Sequence, residues 1–401
     1  MSVTGTESPW KGRFDTSLMR TMGMPLRYLV RGEGCYVWDD EGNEYLDFLA
    51  GIAVNSLGHA HPVFVEAVSK QAATLAHVSN YFSTPPQLEL AERLARITGA
   101  GEGARAYFCN SGAEANEAAF KLARLNSSER RRTILALHNG FHGRTMGALS
   151  LTGKPAMREP FEPMPAGVVH IDSTMEALDA AIDDTVAALV LETIKGEAGV
   201  VDLPDGFLRR ARELTARHGV LLIVDEIQTG VGRTGEWFSY MHDGILPDAV
   251  TIAKGIAGGF PIGALVTFGW ASELFSRGQH GSTFGGNPLA TATANAVLTE
   301  IESAGLVQNA AVRGTELRAV IESIDSPLIH EVRGQGLLIG VGLTEPVAQA
   351  VSDAALDAGL IINAPNDSSL RIAPPLVIGD DEVRVFGNRL RQAFAAVDGA
   401  R

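Results

Sequence analysis

Cysteine is nearly absent from this chain: Cys35 and Cys109 are the only two among 401 residues. Two cysteines make no disulfide framework, and Cys109 closes an apolar run that reads as a buried strand, a pattern suited to a reducing cytoplasm. Long apolar runs are missing too. Nowhere do 18 apolar residues follow one another, so no membrane-spanning helix is expected. The opening stretch, Met1-Ser-Val-Thr-Gly-Thr-Glu-Ser-Pro-Trp10, lacks the apolar core of a secretory signal. Basic residues are in deficit, 33 Lys and Arg against 47 Asp and Glu, for a net charge of −14. Such a surface repels phosphate backbones and anionic lipid, which argues against nucleic acid and membranes as partners. Internal repeats and low-complexity tracts are also lacking.

What is present is a chain with 45% hydrophobic residues, enough for a large core and too long for one ordinary compact unit, so a large and a small domain are expected. Up to about residue 60, short β-like pieces (Cys35-Tyr-Val-Trp-Asp39, Glu44-Tyr-Leu-Asp-Phe48) read as an antiparallel edge. From about 65 to 295, helices alternate with apolar strands such as Ala187 to Glu192, which predicts a mainly parallel sheet. A helical stretch from Pro288 to Glu302 leads to an α+β tail holding Gly334-Gln-Gly336-Leu-Leu-Ile-Gly340 and Leu370-Arg371-Ile372.

The most informative stretch is Gly219-Val-Leu-Leu-Ile-Val-Asp225-Glu-Ile-Gln228, followed by Asp248-Ala-Val-Thr-Ile-Ala-Lys254-Gly255. Each apolar run reads as a buried parallel strand that delivers one charged residue to its carboxyl end, where open α/β sheets bind ligands. Either residue alone is compatible with a plain role, Asp225 as a helix N-cap or Lys254 as a surface charge. Together, 254 − 225 = 29 residues apart, they match pyridoxal phosphate (PLP) chemistry. The lysine would hold the cofactor covalently and the aspartate would keep its pyridine nitrogen protonated. The glycines 255, 258, 259 and 263 after Lys254 let backbone approach a ligand, and Gln228 lies close enough to Asp225 to reach the same ring.

Arg105-Ala-Tyr-Phe-Cys-Asn110 reads as a further strand, and Ser111-Gly112-Ala113-Glu114 opens a helix with the spacing of a capping box. The exposed N–H groups at such a helix start form a phosphate seat as readily as an ordinary cap. Competing motifs fail. Gly334, Gly336 and Gly340 miss dinucleotide-binding spacing, and Gly147 to Lys154 misses that of a Walker loop. His138 and His142 are four apart, but Gly140 and Gly143 break the helix that would align them on a metal, so no metal is expected. Arg130-Arg131-Arg132 reads most simply as a solvated face.

The strings CNSGAEANEAAFK, FHGRTMGALS, DEIQTGVGRTG, AKGIAGGFPIGA and HGSTFGGNPLA resemble the class III (ornithine-type) PLP-dependent aminotransferases of fold type I, over nearly the whole chain. The resemblance implies a mainly parallel, seven-stranded-type sheet in a large PLP-binding domain (61–295) and a smaller α+β domain formed from both termini (1–60 and 296–401). It implies that Lys254 and Asp225 are catalytic, that Ser111, Gly112, Ala113, Phe141, Gln228 and Thr283 bind the cofactor, and that Arg144, Glu197, Ser282 and Arg371 bind substrate. Phe141 would stack on the pyridine face, Arg144 and Arg371 would clamp carboxylates, and Glu197 would mask Arg371 until a diacid arrives. Thr283 would reach the cofactor phosphate of a neighbouring subunit with Ser282 near the substrate, so a homodimer is implied. The His of FHGRT, where ornithine-acting members carry Trp, and Ile52 in place of a Tyr favour an acylated donor. The expected reaction is transfer from N-acetyl-L-ornithine to 2-oxoglutarate in arginine biosynthesis, in the cytoplasm. Alternatives are succinyldiaminopimelate, succinylornithine, ornithine or GABA as donor, an aminomutase or decarboxylase, or a catalytically silent interaction protein. The chain departs from the family pattern at Thr193, Lys195 and Ala198, where Pro, Gln and Gly are usual, and Lys195 is expected close to the substrate channel.

Overall fold

The computed structural model describes residues 9–399, and the residues before 9, most of the stretch without an apolar leader core, lie outside the described residues. Strands β1 (Leu29–Glu33), β2 (Tyr36–Asp39) and β3 (Glu44–Asp47) form the expected antiparallel ladder. Then come β4 (Arg105–Cys109), β5 (Thr133–Leu137), β6 (Val168–Ile171) and β7 (Val186–Leu191). After a small ribbon of β8 (Ile194–Lys195) and β9 (Val201–Asp202), the chain adds β10 (Leu221–Asp225), β11 (Ala249–Ile252) and β12 (Gly263–Thr267). Seven of these make one sheet in the order β4-β12-β11-β10-β7-β5-β6.

From β11 to β6 every pairing is parallel. All residues of β7, β10 and β11 are buried, which is why these strands are continuously apolar rather than alternating: helices cover both faces. β12 runs antiparallel to β11 and β4. The 263 − 252 − 1 = 10 residues between β11 and β12 are fewer than the dozen or so that a parallel crossover needs. That short return is the loop carrying Lys254.

The tail holds β13 (Ile329–Gln335), β14 (Leu338–Leu343), β15 (Leu360–Ile361), β16 (Asn363–Asn366) and β17 (Ser369–Ile372). β15 pairs in parallel with β3, Leu360 opposite Leu46, so the start and the tail of the chain share one sheet. Phe48 stacks on Phe386 with ring centroids 4.8 Å apart. The glycines 334, 336 and 340 belong to the β13–β14 hairpin, as their strand-like surroundings predict. A Cβ on Gly336, at φ +52°, would come within 2.5 Å of the Thr234 backbone, so the turn there demands glycine.

One surface reading is corrected. Arg131 is not a solvated charge: its guanidinium donates to the carbonyls of His218, at 2.8 Å, and Gly219. It thereby satisfies the C-terminal end of helix Phe207–His218, where the dipole also favours a cation. Among the described residues no helix is long and apolar enough to cross a membrane.

Candidate active site

Asp225 ends β10 and pairs with Thr251 of β11. Lys254 leaves β11 two residues beyond its last ladder position, at the same rim. Its φ of +48° lies in the left-handed region, which costs a non-glycine residue about 1–3 kcal/mol and marks a position held by its surroundings. Ser56 supplies part of that hold, its Oγ donating to the Gly255 carbonyl at 3.0 Å. Lys254 keeps partial exposure to the cavity it faces, but the protein around it drives its ammonium below the ordinary lysine range, first by desolvation and then by the charge of Arg371. A lysine depressed in this way is suited to act as nucleophile and base.

Asp225 is 3% exposed and saturated with donors. Its Oδ2 lies 2.7 Å from His142 Nδ1 and accepts from Asn116 Nδ2 at 2.8 Å, while Oδ1 accepts from the Ile227 N–H at 3.0 Å. Burial opposes the charged form of His142, but the hydrogen bond and charge of Asp225 prevail and raise its pKa. His142 is thus committed to Asp225 rather than to His138, whose ring lies instead 5.9 Å from that of His170. Spacing alone did not single out His142 and Glu192, which line the same cavity, or Asn116, which holds Asp225. A carboxylate just past strand β7 was the available signal for Glu192, since Asp225 occupies the same kind of position.

Helix Gly112–Leu125 starts as its capping box predicts, with Ser111 Oγ accepting from the Glu114 N–H at 3.2 Å. The Glu114 carboxylate, however, reaches past Ser111 and accepts from the Asn110 N–H at 2.6 Å. The N–H groups of Gly112 and Ala113, first in the helix, have no acceptor within it and border the cavity. Gly143 lies so close to Ala113 that an added Cβ would stand 3.0 Å away, which brings the Phe141–Arg144 loop onto this helix start.

The cavity measures about 370 Å³ and is bordered by Ser111, Phe141, Arg144, Asp225, Gln228 and Lys254, among others. The Arg144 guanidinium stands 5.8 Å from the Phe141 ring centroid. Behind Gln228, which lines the cavity, lies Arg371, 1% exposed on β17, ion-paired to Glu197, with Nε donating to Asn363 Oδ1 at 3.1 Å and Nη1 to Gln228 Oε1 at 3.3 Å. Burial disfavours the Glu197 carboxylate, but the charge and hydrogen bond of Arg371 outweigh it and hold its pKa below the ordinary range.

Not every expected residue arrives here. Ser282 and Thr283 border separate openings with His280 and Gly281, outside the Lys254 cavity of this chain. Lys195, expected beside the channel, instead turns away: its Nζ donates to Ser173 Oγ at 2.9 Å and to the His138 carbonyl at 3.5 Å. The lysine that reaches the Glu197 turn is Lys154, whose Nζ donates to the Glu197 carbonyl at 2.6 Å.

An amine, a buried carboxylate and a helix N-terminus, set around one cavity of ordinary small-ligand size, are the donor set that PLP requires. Two neighbouring carboxyls carry a pH signature. Burial pushes Glu192, first, and Glu226 each up to about 7 from an ordinary 4.5. Acids raised in this way favour the folded state below about pH 4.5 and lose that contribution as pH climbs through about 7. Glu226, held by Thr229 Oγ1 and the Tyr240 N–H, lies off the cavity. Glu226→Gln should therefore flatten the decline of Tm between pH 5 and 8, measured on cofactor-free protein; a decline as steep as in the unsubstituted chain would refute the assignment.

Residues 18–394 match the aminotransferase class-III family. The chain is 52% identical over 376 residues to the acetylornithine aminotransferase of Streptomyces coelicolor, covering 93% of this chain and 92% of that protein. It is 50% identical over 382 residues to that of Mycobacterium tuberculosis, covering 95% of each. Among solved structures, the ornithine aminotransferase of Toxoplasma gondii superposes with a TM-score of 0.92 at 34% identity, over 98% of this chain and 96% of that one. The N-acetylornithine aminotransferase of Stenotrophomonas maltophilia gives 0.82 at 38%, over 94% and 97%.

Proposed function

Because the chain belongs to the class-III aminotransferase family, we propose that it transfers the side-chain amino group of N-acetyl-L-ornithine to 2-oxoglutarate. The products are N-acetyl-L-glutamate 5-semialdehyde and L-glutamate, and the step belongs to arginine biosynthesis. The names of the Streptomyces and Mycobacterium relatives support the donor. The observation that carries the reading is the Arg371–Glu197 pair, joined through Gln228 to the Lys254 cavity. One site that must take a donor with a single carboxylate and then a diacid needs a second anion clamp that is covered for the first and bared for the second.

PLP, when bound, supplies the carbonyl that takes up the amino group and the ring that accepts electrons. Lys254 would hold it, and its amine would move a proton to and from the substrate carbon as base and acid. Asp225, oriented by His142 and Asn116, would present a fixed negative charge to the pyridine nitrogen. The N–H groups of Gly112 and Ala113, with Ser111, would hold the phosphate, and Phe141 and Gln228, which line the same cavity, would hold the ring. Arg144 takes the donor's carboxylate, and Arg371 that of glutamate or 2-oxoglutarate, each through parallel hydrogen bonds. A homodimer in which Ser282 and Thr283 complete the partner's site accounts for their place on an open loop. Two buried free thiols, Cys35 and Cys109, fit a cytoplasmic setting. A division into residues 1–60 with 296–401, and 61–295, is supported by the sheet that β3 shares with β15.

Comparison of kcat/KM for N-acetylornithine, ornithine, succinyldiaminopimelate and GABA should place N-acetylornithine first. In single turnovers, Glu197→Ala should raise reactivity toward glutamate relative to N-acetylornithine. Arg371→Ala should damage the glutamate half-reaction most, by a few kcal/mol, the usual cost of a lost bidentate charged contact. Equal losses toward both donors in both variants would leave Glu197 and Arg371 as a static pair.

A further inference from the structure

A covered clamp raises a question of charge. When a diacid displaces Glu197 from Arg371, a largely enclosed carboxylate loses its counterion, and an unpaired buried charge is among the costliest arrangements a protein can hold. Retreat of the backbone is blocked. Glu197 sits in the tight turn Gly196–Ala198, which is tied down on several sides. Arg333 donates from Nε and Nη2 to the Gly199 carbonyl at 3.1 and 2.8 Å, and Asn366 Nδ2 donates to the Ala198 carbonyl at 2.9 Å. Gly199, at φ +107°, is pressed so closely on Ser369 that an added Cβ would stand 2.6 Å from its Oγ. Only the Glu197 side chain is free to move, by rotation between its staggered wells.

Three cations act on its carboxylate: Arg371, Lys254 and Lys154. Arg371 is taken by the diacid, and Lys254 serves the cofactor. Lys154 remains. It is half-buried, its Nζ already rests on the Glu197 carbonyl at 2.6 Å, and it feels the charges of Glu197, Glu192, Arg371 and Arg144. We propose that Lys154 is the counterion that receives the Glu197 carboxylate when Arg371 is bared, and so determines how readily the site admits a diacid. This rests on the transaminase reading above and adds to it a positioning residue for one half-reaction alone. In the closed arrangement Lys154 anchors the turn through a carbonyl; in the open one the same ammonium, without travelling, pairs with the carboxylate of that residue.

The test is a double-substitution cycle read by binding, using glutarate as an unreactive diacid and isothermal titration of the PLP-loaded and cofactor-free protein. Lys154→Met should weaken glutarate binding by about tenfold, a conservative fraction of what stranding a buried charge costs, and Lys154→Arg should restore it to within about threefold. In a Glu197→Ala background, where no carboxylate needs a new partner, Lys154→Met should change binding by less than about twofold. An equal loss in both backgrounds would show that Lys154 attracts the diacid directly and would overturn the proposal, as would an unchanged affinity in the single variant. The titrations need no turnover. Failure of the transaminase reading would appear separately, as a chain that does not convert N-acetylornithine and 2-oxoglutarate.

Discussion

Lys254→Ala is expected to abolish turnover with every amino donor while leaving the fold and its Tm intact. The loss combines two roles. On the proposed reading Lys254 would hold the cofactor and would also be the acid and base that shuttles the substrate proton, a role worth about 10²–10⁴-fold by itself. Burial, and after it the charge of Arg371, hold its ammonium below the ordinary lysine range, which favours the neutral amine. Alanine keeps the Cβ and so carries the same left-handed strain as lysine at φ +48°, so stability should change little. Borohydride reduction of the PLP-loaded wild-type protein followed by peptide mapping should find the cofactor on Lys254 and, in the variant, on no residue. Turnover in the variant within tenfold of wild type, or a label elsewhere, would remove Lys254 from the chemistry.

Asp225→Ala should cost nearly as much by a different route. A carboxylate paired with a ring nitrogen at an effective protein dielectric near 20 is worth about 4 kcal/mol, or roughly a thousandfold in rate if it is all expressed in the transition state. Removing it also strands His142, 2% exposed, and Asn116, each of which has Asp225 as a hydrogen-bond partner. Part of the effect should therefore appear as weaker PLP binding. Asp225→Asn keeps the shape but not the charge and should still lose about two orders of magnitude or more, since orientation without charge does not hold a pyridinium. Steady-state rates at saturating PLP separate the two contributions. A fall of less than about tenfold in both variants, equivalent to about 1.4 kcal/mol, would show that the charge of Asp225 is not what activates the ring.

Much of this site was legible because its parts sit on regular elements. Asp225 and Lys254 end apolar runs, and an apolar run buried on both faces of a parallel sheet leaves little choice about where its first charged residue emerges. The start of helix Gly112–Leu125 was legible for the same local reason, since a serine with a glutamate three residues later satisfies N–H groups that every helix start leaves open. The assignments of Phe141, Arg144, Glu197 and Arg371 came from resemblance, because nothing in their own neighbourhoods distinguishes a clamp from a surface ion pair.

Tertiary structure decided the contacts that link distant parts of the chain. Asn116 meets Asp225 across 225 − 116 = 109 residues and Glu197 meets Arg371 across 371 − 197 = 174, separations over which no periodicity carries information. The antiparallel sense of β12 follows from the length of the Lys254 loop, and that was countable; the β3–β15 pairing that joins the chain's two ends was not. The exchange of roles between Lys195 and Lys154 is the clearest case. Lys195, adjacent in sequence to the Glu197 turn, points to Ser173, while Lys154, 197 − 154 = 43 residues away, reaches the Glu197 carbonyl. Sequence fixes which residue types a strand end or helix start requires, because those demands are local and set by backbone hydrogen bonding. Which charge finally faces which is settled only when packing chooses a side-chain direction, since burying any one of them without a partner costs several kcal/mol.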